Sequence, residues 1–183
     1  MVKKILVALD GSPSSDRALG LAIQLATSSG ATLLALTVIS AEPLMEADVD
    51  VALEKYQPEV SALLVAPAFR PALAPEYRVP GAAGDAGMTP SVPLRKAMAQ
   101  HVLAEAKATA QERGFAPLET MLRSGDPATA ILAAAATQSP DLLVMGSRGL
   151  GERAKNLIGG VSYQVVRQAA CPVIIVKYPE LED

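Results

Sequence analysis

Three glycines near the C-terminal end are the residues best suited to chemistry. Gly146 is followed after two residues by Gly149, and after nine more by Gly159. Glycine places no Cβ between backbone and ligand, so amides in such a run can approach a phosphate or ribose closely. Gly159-Gly160-Val161-Ser162 then opens a helix, and the amides and dipole at a helix start favour a phosphate. A second equipped stretch lies near the N-terminus, Asp10-Gly11-Ser12. The chemistry these residues suggest is binding of a phosphate-bearing ligand. No nucleophile–base pair or carboxylate dyad stands out by position, so no catalytic residue is assigned.

Two common phosphate motifs do not account for the pattern. The dinucleotide fingerprint needs G-x-G-x-x-G after the first strand, whereas residues 146–151 read G-x-x-G-x-G after a late one. The P-loop ends in Gly-Lys-Ser or Gly-Lys-Thr, and neither occurs.

The elements that must position these residues follow from hydrophobic pattern. Ile5 to Leu9 is a short apolar run of the kind buried on both faces of a parallel sheet. Ser12-Pro13 reads as a helix cap and first turn, with Ala18, Leu21, Ala22, Leu25 and Ala26 at helical spacing and Gly30 as the stop. Thr32 to Ile39 is a second strand. Ala97, Met98, Val102 and Ala106 form a helical stripe ending at Gly114, and Leu118 to Leu122 a third strand. Asp126-Pro127 starts another helix, through Ile131, Ala134 and Ala135. Asp141 to Met145 is a strand, Gly146 to Gly160 a loop with room for a short turn of helix, and Val161 to Ala169 a helix with Val165 and Val166 on its apolar side. Cys171 to Val176 is the last strand. Strands alternating with helices predict a parallel sheet covered on both faces. Ligands of such sheets bind beyond the carboxyl ends of strands, where strand order reverses.

Between Ala41 and Pro93 the character changes. Eight of the fourteen prolines fall there, with Glu42, Glu46, Asp48, Asp50, Glu54 and Glu59. This reads as a long insertion within one domain spanning 1–183, with a loop at residues 80–90. The acidic residues lack EF-hand spacing.

Composition excludes several functions. The net charge is −3, Trp is absent, and Phe occurs only at 69 and 115. That gives neither the basic face nor the aromatic platforms expected of a nucleic-acid partner. No run of about 18 apolar residues suggests a membrane span. Ile5 to Leu9 is too short for a signal segment and ends at Asp10. The lone Cys171 cannot form an intramolecular disulfide, which suits a reducing, cytoplasmic setting.

The glycine spacing resembles the nucleotide motif of the universal stress protein family. Lys4-Ile5-Leu6-Val7-Ala8-Leu9-Asp10-Gly11-Ser12 resembles that family's opening. Met145-Gly146-Ser147-Arg148-Gly149-Leu150-Gly151 and Cys171-Pro172-Val173-Ile174-Ile175-Val176 resemble its end. The likeness covers roughly 1–40 and 95–178. It implies a Rossmann-like α/β fold with a five-stranded parallel sheet, as in the adenine nucleotide alpha hydrolase-like folds. Motif-bearing members bind ATP, so it also implies ATP, ADP or AMP as ligand, with Mg2+ where phosphates carry it. By position, Asp10 would lie near the nucleoside with Ala8 beside it, and Val38 would offer backbone groups to the adenine. Met145 and Gly146 would face the nucleoside, Arg148 and Gly149 the phosphates. Gly159, Gly160, Val161 and Ser162 would complete the phosphate cradle. The family role would be a stress-response regulatory module with little or no hydrolysis, paired as a homodimer through Val173 to Val176. One position departs: the family usually has Ser or Thr where this chain has Gly160.

Plainer readings stay open for each residue. The glycines are also turn formers, Asp10 a turn cap, Arg148 a surface charge and Ser162 a helix cap. His101 has no second ligand nearby in sequence and reads as an ordinary helix residue; Cys171 reads as a buried small hydrophobe. Two other function classes are a dimeric stress protein without nucleotide and an adenylate-forming or ATP-hydrolysing enzyme. The latter would want a Ser-Gly-Gly-like loop after the first strand, and Asp10-Gly11-Ser12-Pro13 is only a faint version.

Overall fold

The apolar runs pair as one parallel sheet. The computed structural model describes residues 1–40, 91–149 and 158–177. In chain order the elements are β1 (Lys4–Ala8), α1 (Pro13–Ser29), β2 (Thr32–Ile39), α2 (Ser91–Glu112), β3 (Glu119–Ser124), α3 (Pro127–Gln138), β4 (Leu142–Gly146), α4 (Gly160–Gln168) and β5 (Val173–Val176). The strand order is β3-β2-β1-β4-β5. β1 lies at the centre, pairing Ile5 with Leu33 on one side and with Leu142 on the other. Strand order therefore reverses between β1 and β4, and the carboxyl ends of these two strands form the crevice where ligands of open α/β sheets bind.

Alternation along the strands divides the core between two faces. Ile5, Val7, Leu33, Ala35 and Val144 pack against Ala18, Ala22 and Ala26 of α1 and Met98, Val102 and Ala106 of α2. Leu6, Leu34, Leu36, Leu143 and Met145 pack against Ile131, Ala134 and Ala135 of α3 and Val165 of α4. Alanines on the helix side of both contacts let the helices approach the branched strand residues closely.

The caps follow the residue types. Ser12 Oγ accepts from the Ser15 amide at 3.2 Å and Pro13 takes the first turn of α1. Asp126 does the same for α3, accepting from the Thr129 amide at 2.8 Å, and the Thr129 hydroxyl and amide hold its pKa below the usual carboxylate value. α1 ends at Gly30 with φ 68°, whereas α3 ends at Ser139 in the same left-handed region.

Several boundaries differ from the sequence reading. β1 starts at Lys4 and ends at Ala8, and β3 runs from Glu119 to Ser124 rather than from Leu118 to Leu122. Asp141 is outside β4: its carboxylate accepts from the Lys3 and Lys4 amides at 2.7 and 3.0 Å, which tethers the N-terminus and lowers its pKa. β5 begins at Val173, leaving Cys171 half-buried ahead of it. Val166 is exposed, because the short α4 buries Ser162 and Val165, a stripe only one residue wide per turn. α2 starts at Ser91, inside the expected insertion, while residues 41–90 and residues 150–157 of the loop expected to hold a short turn of helix lie outside the described residues. No helix among the described residues is long and apolar enough to cross a membrane.

Candidate functional site

The two glycine-bearing stretches meet at the strand reversal. Ala8 and Met145 are register partners at the ends of β1 and β4, both buried. Beyond them the chain turns away as Asp10-Gly11-Ser12 on one side and Gly146 to Gly149 on the other. Asp10 Oδ1 accepts from the Ser12 amide at 3.0 Å, and Ser15 Oγ accepts from the Gly11 amide at 3.2 Å. These bonds fix the turn that aims the Asp10 carboxylate.

Asp10 as a residue is exposed, so a ligand can reach this turn. The protein mass around its carboxylate still strips away water. That desolvation pushes its pKa above the usual carboxylate value, against the lowering effect of the Ser12 and Ser15 hydrogen bonds.

The motif glycines serve different ends. A Cβ on Gly146 would overlap Ser14 Oγ and stand 3.0 Å from the Ser14 carbonyl carbon and the Ser15 amide. Gly146 is thus required by packing of the α1 N-terminus on β4, not by approach of a ligand. Gly149 is different: its Cβ would stand 2.8 Å from Asp10 Oδ2. The missing side chain there leaves the Asp10 carboxylate its position. At Gly160 a Cβ would meet nothing within 4 Å, so this exposed position has space on its outer side.

The second half of the motif is tied to the first. The Gly159 amide donates to Ser147 O at 2.7 Å, and the Ser147 amide to Val176 O at 2.8 Å. Gly159 caps α4 with no side-chain bond. The first amides of α4, at Gly160, Val161 and Ser162, thus stand next to the Gly146–Gly149 turn, and intrahelical bonding begins only with Tyr163 donating to Gly159 O. The buried Ser162 hydroxyl points inward, donating to Gly146 O at 2.8 Å.

Val38 belongs to the same edge by a parity argument. Leu36 O accepts from the Leu9 amide on the β1 side, and Ile39 O accepts from the Gly125 amide on the β3 side. Backbone groups two apart on a strand point the same way. Val38 therefore directs its N–H and C=O towards β1, one step past the point where β1 has turned off. Arg148 is half-exposed beside Gly149. A cavity of about 450 Å³ lies farther along the edge, between the ends of β2 and β3, with Ile39, Lys96 and Ser124 in its wall.

All eleven residues expected from sequence thus lie along the carboxyl edge of β2, β1 and β4 or at the start of α4. Ser14 and Ser15 also stand at this edge, outside the residues expected from sequence. Their signal in the sequence is the density of small hydroxyls in Ser12-Pro13-Ser14-Ser15, of which only Ser12 carries a capping pattern. Away from this edge, His101 Nε2 stands 3.4 Å from Glu105, one turn on along α2.

Comparison with known proteins agrees with this fold. The model of the universal stress protein family matches residues 1–177. A universal stress protein of Thermus aquaticus, from the QAH/OAS sulfhydrylase 3′ region, is 32% identical over 177 residues, covering 97% of this chain and 100% of the relative. A universal stress protein of Methanocaldococcus jannaschii, MJ0531, is 36% identical over 89 residues, 49% of this chain and 52% of that one. Among solved structures, a universal stress protein in complex with cAMP is 28% identical with a TM-score of 0.57, covering 96% and 97% of the two chains. A family protein from Arabidopsis thaliana with AMP bound has the same fold at 22% identity and a TM-score of 0.57, covering 97% and 92%. With its five-stranded parallel sheet and a family match running through nearly its whole length, the chain belongs to the universal stress protein family.

Proposed function

We propose that this protein is a nucleotide-binding regulatory module that takes up an adenine nucleotide, ATP foremost, at the β1–β4 crevice. The observation that carries the reading is the convergence of Asp10, the Gly146–Gly149 turn and the α4 N-terminus at the strand reversal. The binding of cAMP by a relative of similar length supports it. Asp10, beside Ala8, would accept from nucleoside hydroxyl or amino groups, and the Val38 backbone would meet the adenine edge. Met145 and Gly146 form the floor under the nucleoside. The Gly149 amide, the Arg148 guanidinium and the amides of Gly160, Val161 and Ser162, behind the Gly159 cap, would hold phosphates, with Mg2+ arriving on the nucleotide. Such backbone donors bind without supplying a base or nucleophile, which fits binding with little or no hydrolysis.

Gly160 sets the expected selectivity. A Ser there would add a hydroxyl donor to the amide, and a hydrogen bond to a charged group contributes about 1.5–3 kcal/mol. The Ser162 proton does not replace it, being donated to Gly146 O. The wild type should therefore discriminate weakly among ATP, ADP and AMP. Gly160→Ser, which has room for its side chain, should raise ATP preference by roughly tenfold. Calorimetry with the three nucleotides on wild type, Gly160→Ser and Ser162→Ala checks this. A strong ATP preference in wild type that Ser162→Ala removes would contradict it.

We also propose a homodimer through β5. That strand is a sheet edge, each of its residues is half-buried, and Tyr163 and Val166 stay exposed on the helix before it. Apolar edges left uncovered invite pairing, and a two-fold contact would use the same edge of both copies. Sedimentation at tens of micromolar should give twice the 18.9 kDa chain mass; a single-chain mass would end the proposal.

A further inference from the structure

The loops after β1 and β4 are joined by a hydroxyl latch on one carbonyl. Arg148 O accepts from Ser14 Oγ at 2.6 Å and from Ser12 Oγ at 3.2 Å, and the two hydroxyls lie 3.1 Å apart. Ser12 and Ser14 are 2% and 4% exposed, so water competes little for these bonds. Gly146 is what admits the latch, since a Cβ at that position would overlap Ser14 Oγ.

The consequence lies in the peptide that bears this carbonyl. The Arg148–Gly149 bond is trans, so its C=O and its N–H point in opposite directions. Two hydroxyls hold the carbonyl towards α1; they thereby turn the Gly149 N–H away from α1. A glycine at 149 could otherwise let this peptide flip at little cost. Among the described residues, none accepts the Gly149 N–H.

We infer that Ser14, assisted by Ser12, is a positioning residue that presets the Gly149 amide as an anion donor before any ligand arrives. This rests on the nucleotide reading for the identity of the anion, a nucleotide phosphate, but not for the latch itself. Ser14 does not touch the ligand; its effect passes through one peptide plane. The expected signature separates the charged part of the ligand from the rest. Loss of the latch should weaken binding of ATP while leaving adenosine alone.

The test uses Ser14→Ala in the full chain, with melting temperature as a check that it folds. Ser12→Ala serves as the second variant, with a smaller expected effect on binding because its bond to Arg148 O is longer. In the free protein, the 15N–1H resonance of Gly149 should shift or broaden in Ser14→Ala, while that of Gly30, remote at the other end of α1, stays put. In titrations, ATP affinity should fall about tenfold and adenosine affinity should change less than about twofold. An unmoved Gly149 resonance in both variants overturns the latch. So does an equal loss of ATP and adenosine affinity, which would mark a merely structural role. If wild type binds neither ligand, the nucleotide reading fails, and the latch is decided by the Gly149 resonance alone.

Discussion

Gly149→Val is expected to weaken ATP binding by about a hundredfold or more while the protein still folds. The first added atom of the side chain would stand 2.8 Å from Asp10 Oδ2, too close for the carboxylate to keep its place. In the proposed mode of binding a phosphate meets the Gly149 amide, and valine's two further carbons would add bulk beside that donor. The substitution therefore acts on both halves of the ligand at once, the nucleoside partner and the backbone donor. Each hydrogen bond to a charged group is worth about 1.5–3 kcal/mol, and losing two reaches a hundredfold at the low end. Gly149 is only half-buried and outside the strand pairing, so the melting temperature should fall little. Calorimetry on both proteins checks it. An ATP affinity within threefold of wild type would remove Gly149 from the site.

Asp10→Asn should do two opposite things. ATP affinity should fall by roughly tenfold, because an amide accepts more weakly than a carboxylate from nucleoside donors. Stability at neutral pH should rise. The folded pKa of Asp10 is raised by desolvation, so the group favours the folded state below the unfolded value, about 3.9. That contribution is lost as pH rises through the higher folded value, where the charged form is held partly out of water. Asparagine keeps the oxygen that receives the Ser12 amide and carries no charge at any pH. The melting-temperature difference between variant and wild type should therefore grow from pH 3 to about pH 7. A difference that is flat with pH, or a variant less stable than wild type at neutral pH, would contradict the account. The trade of stability for a charged group at a binding site is a common one.

The sheet was legible because its strands are uninterrupted apolar runs. Such runs signal burial on both faces, and helices between them leave few topologies. Boundaries shifted where a residue does tertiary work that local pattern cannot register. Asp141 looks like the first residue of β4, yet its carboxylate tethers two amides more than a hundred residues away. Val166 looks apolar enough for the core, yet α4 is too short to bury a broad stripe. The edge that gathers the candidate residues was legible through spacing, but the structural reasons for its glycines were not. Gly146 and Gly149 read alike in sequence. The first is demanded by Ser14 and the second by Asp10, and only the crossing of α1 over the end of β4 reveals the difference. Val38 needed the resemblance to a family; its place on the edge follows from strand parity once the pairing is known.

The central claim, that the β1–β4 crevice takes an adenine nucleotide, is met most directly by titrating the purified full chain with ATP and Mg2+ in a calorimeter. Wild type should saturate at one nucleotide per chain, and Gly149→Val should show little or no heat at the same concentrations. No heat from wild type through millimolar ATP, or equal saturable heat from both proteins, would contradict it.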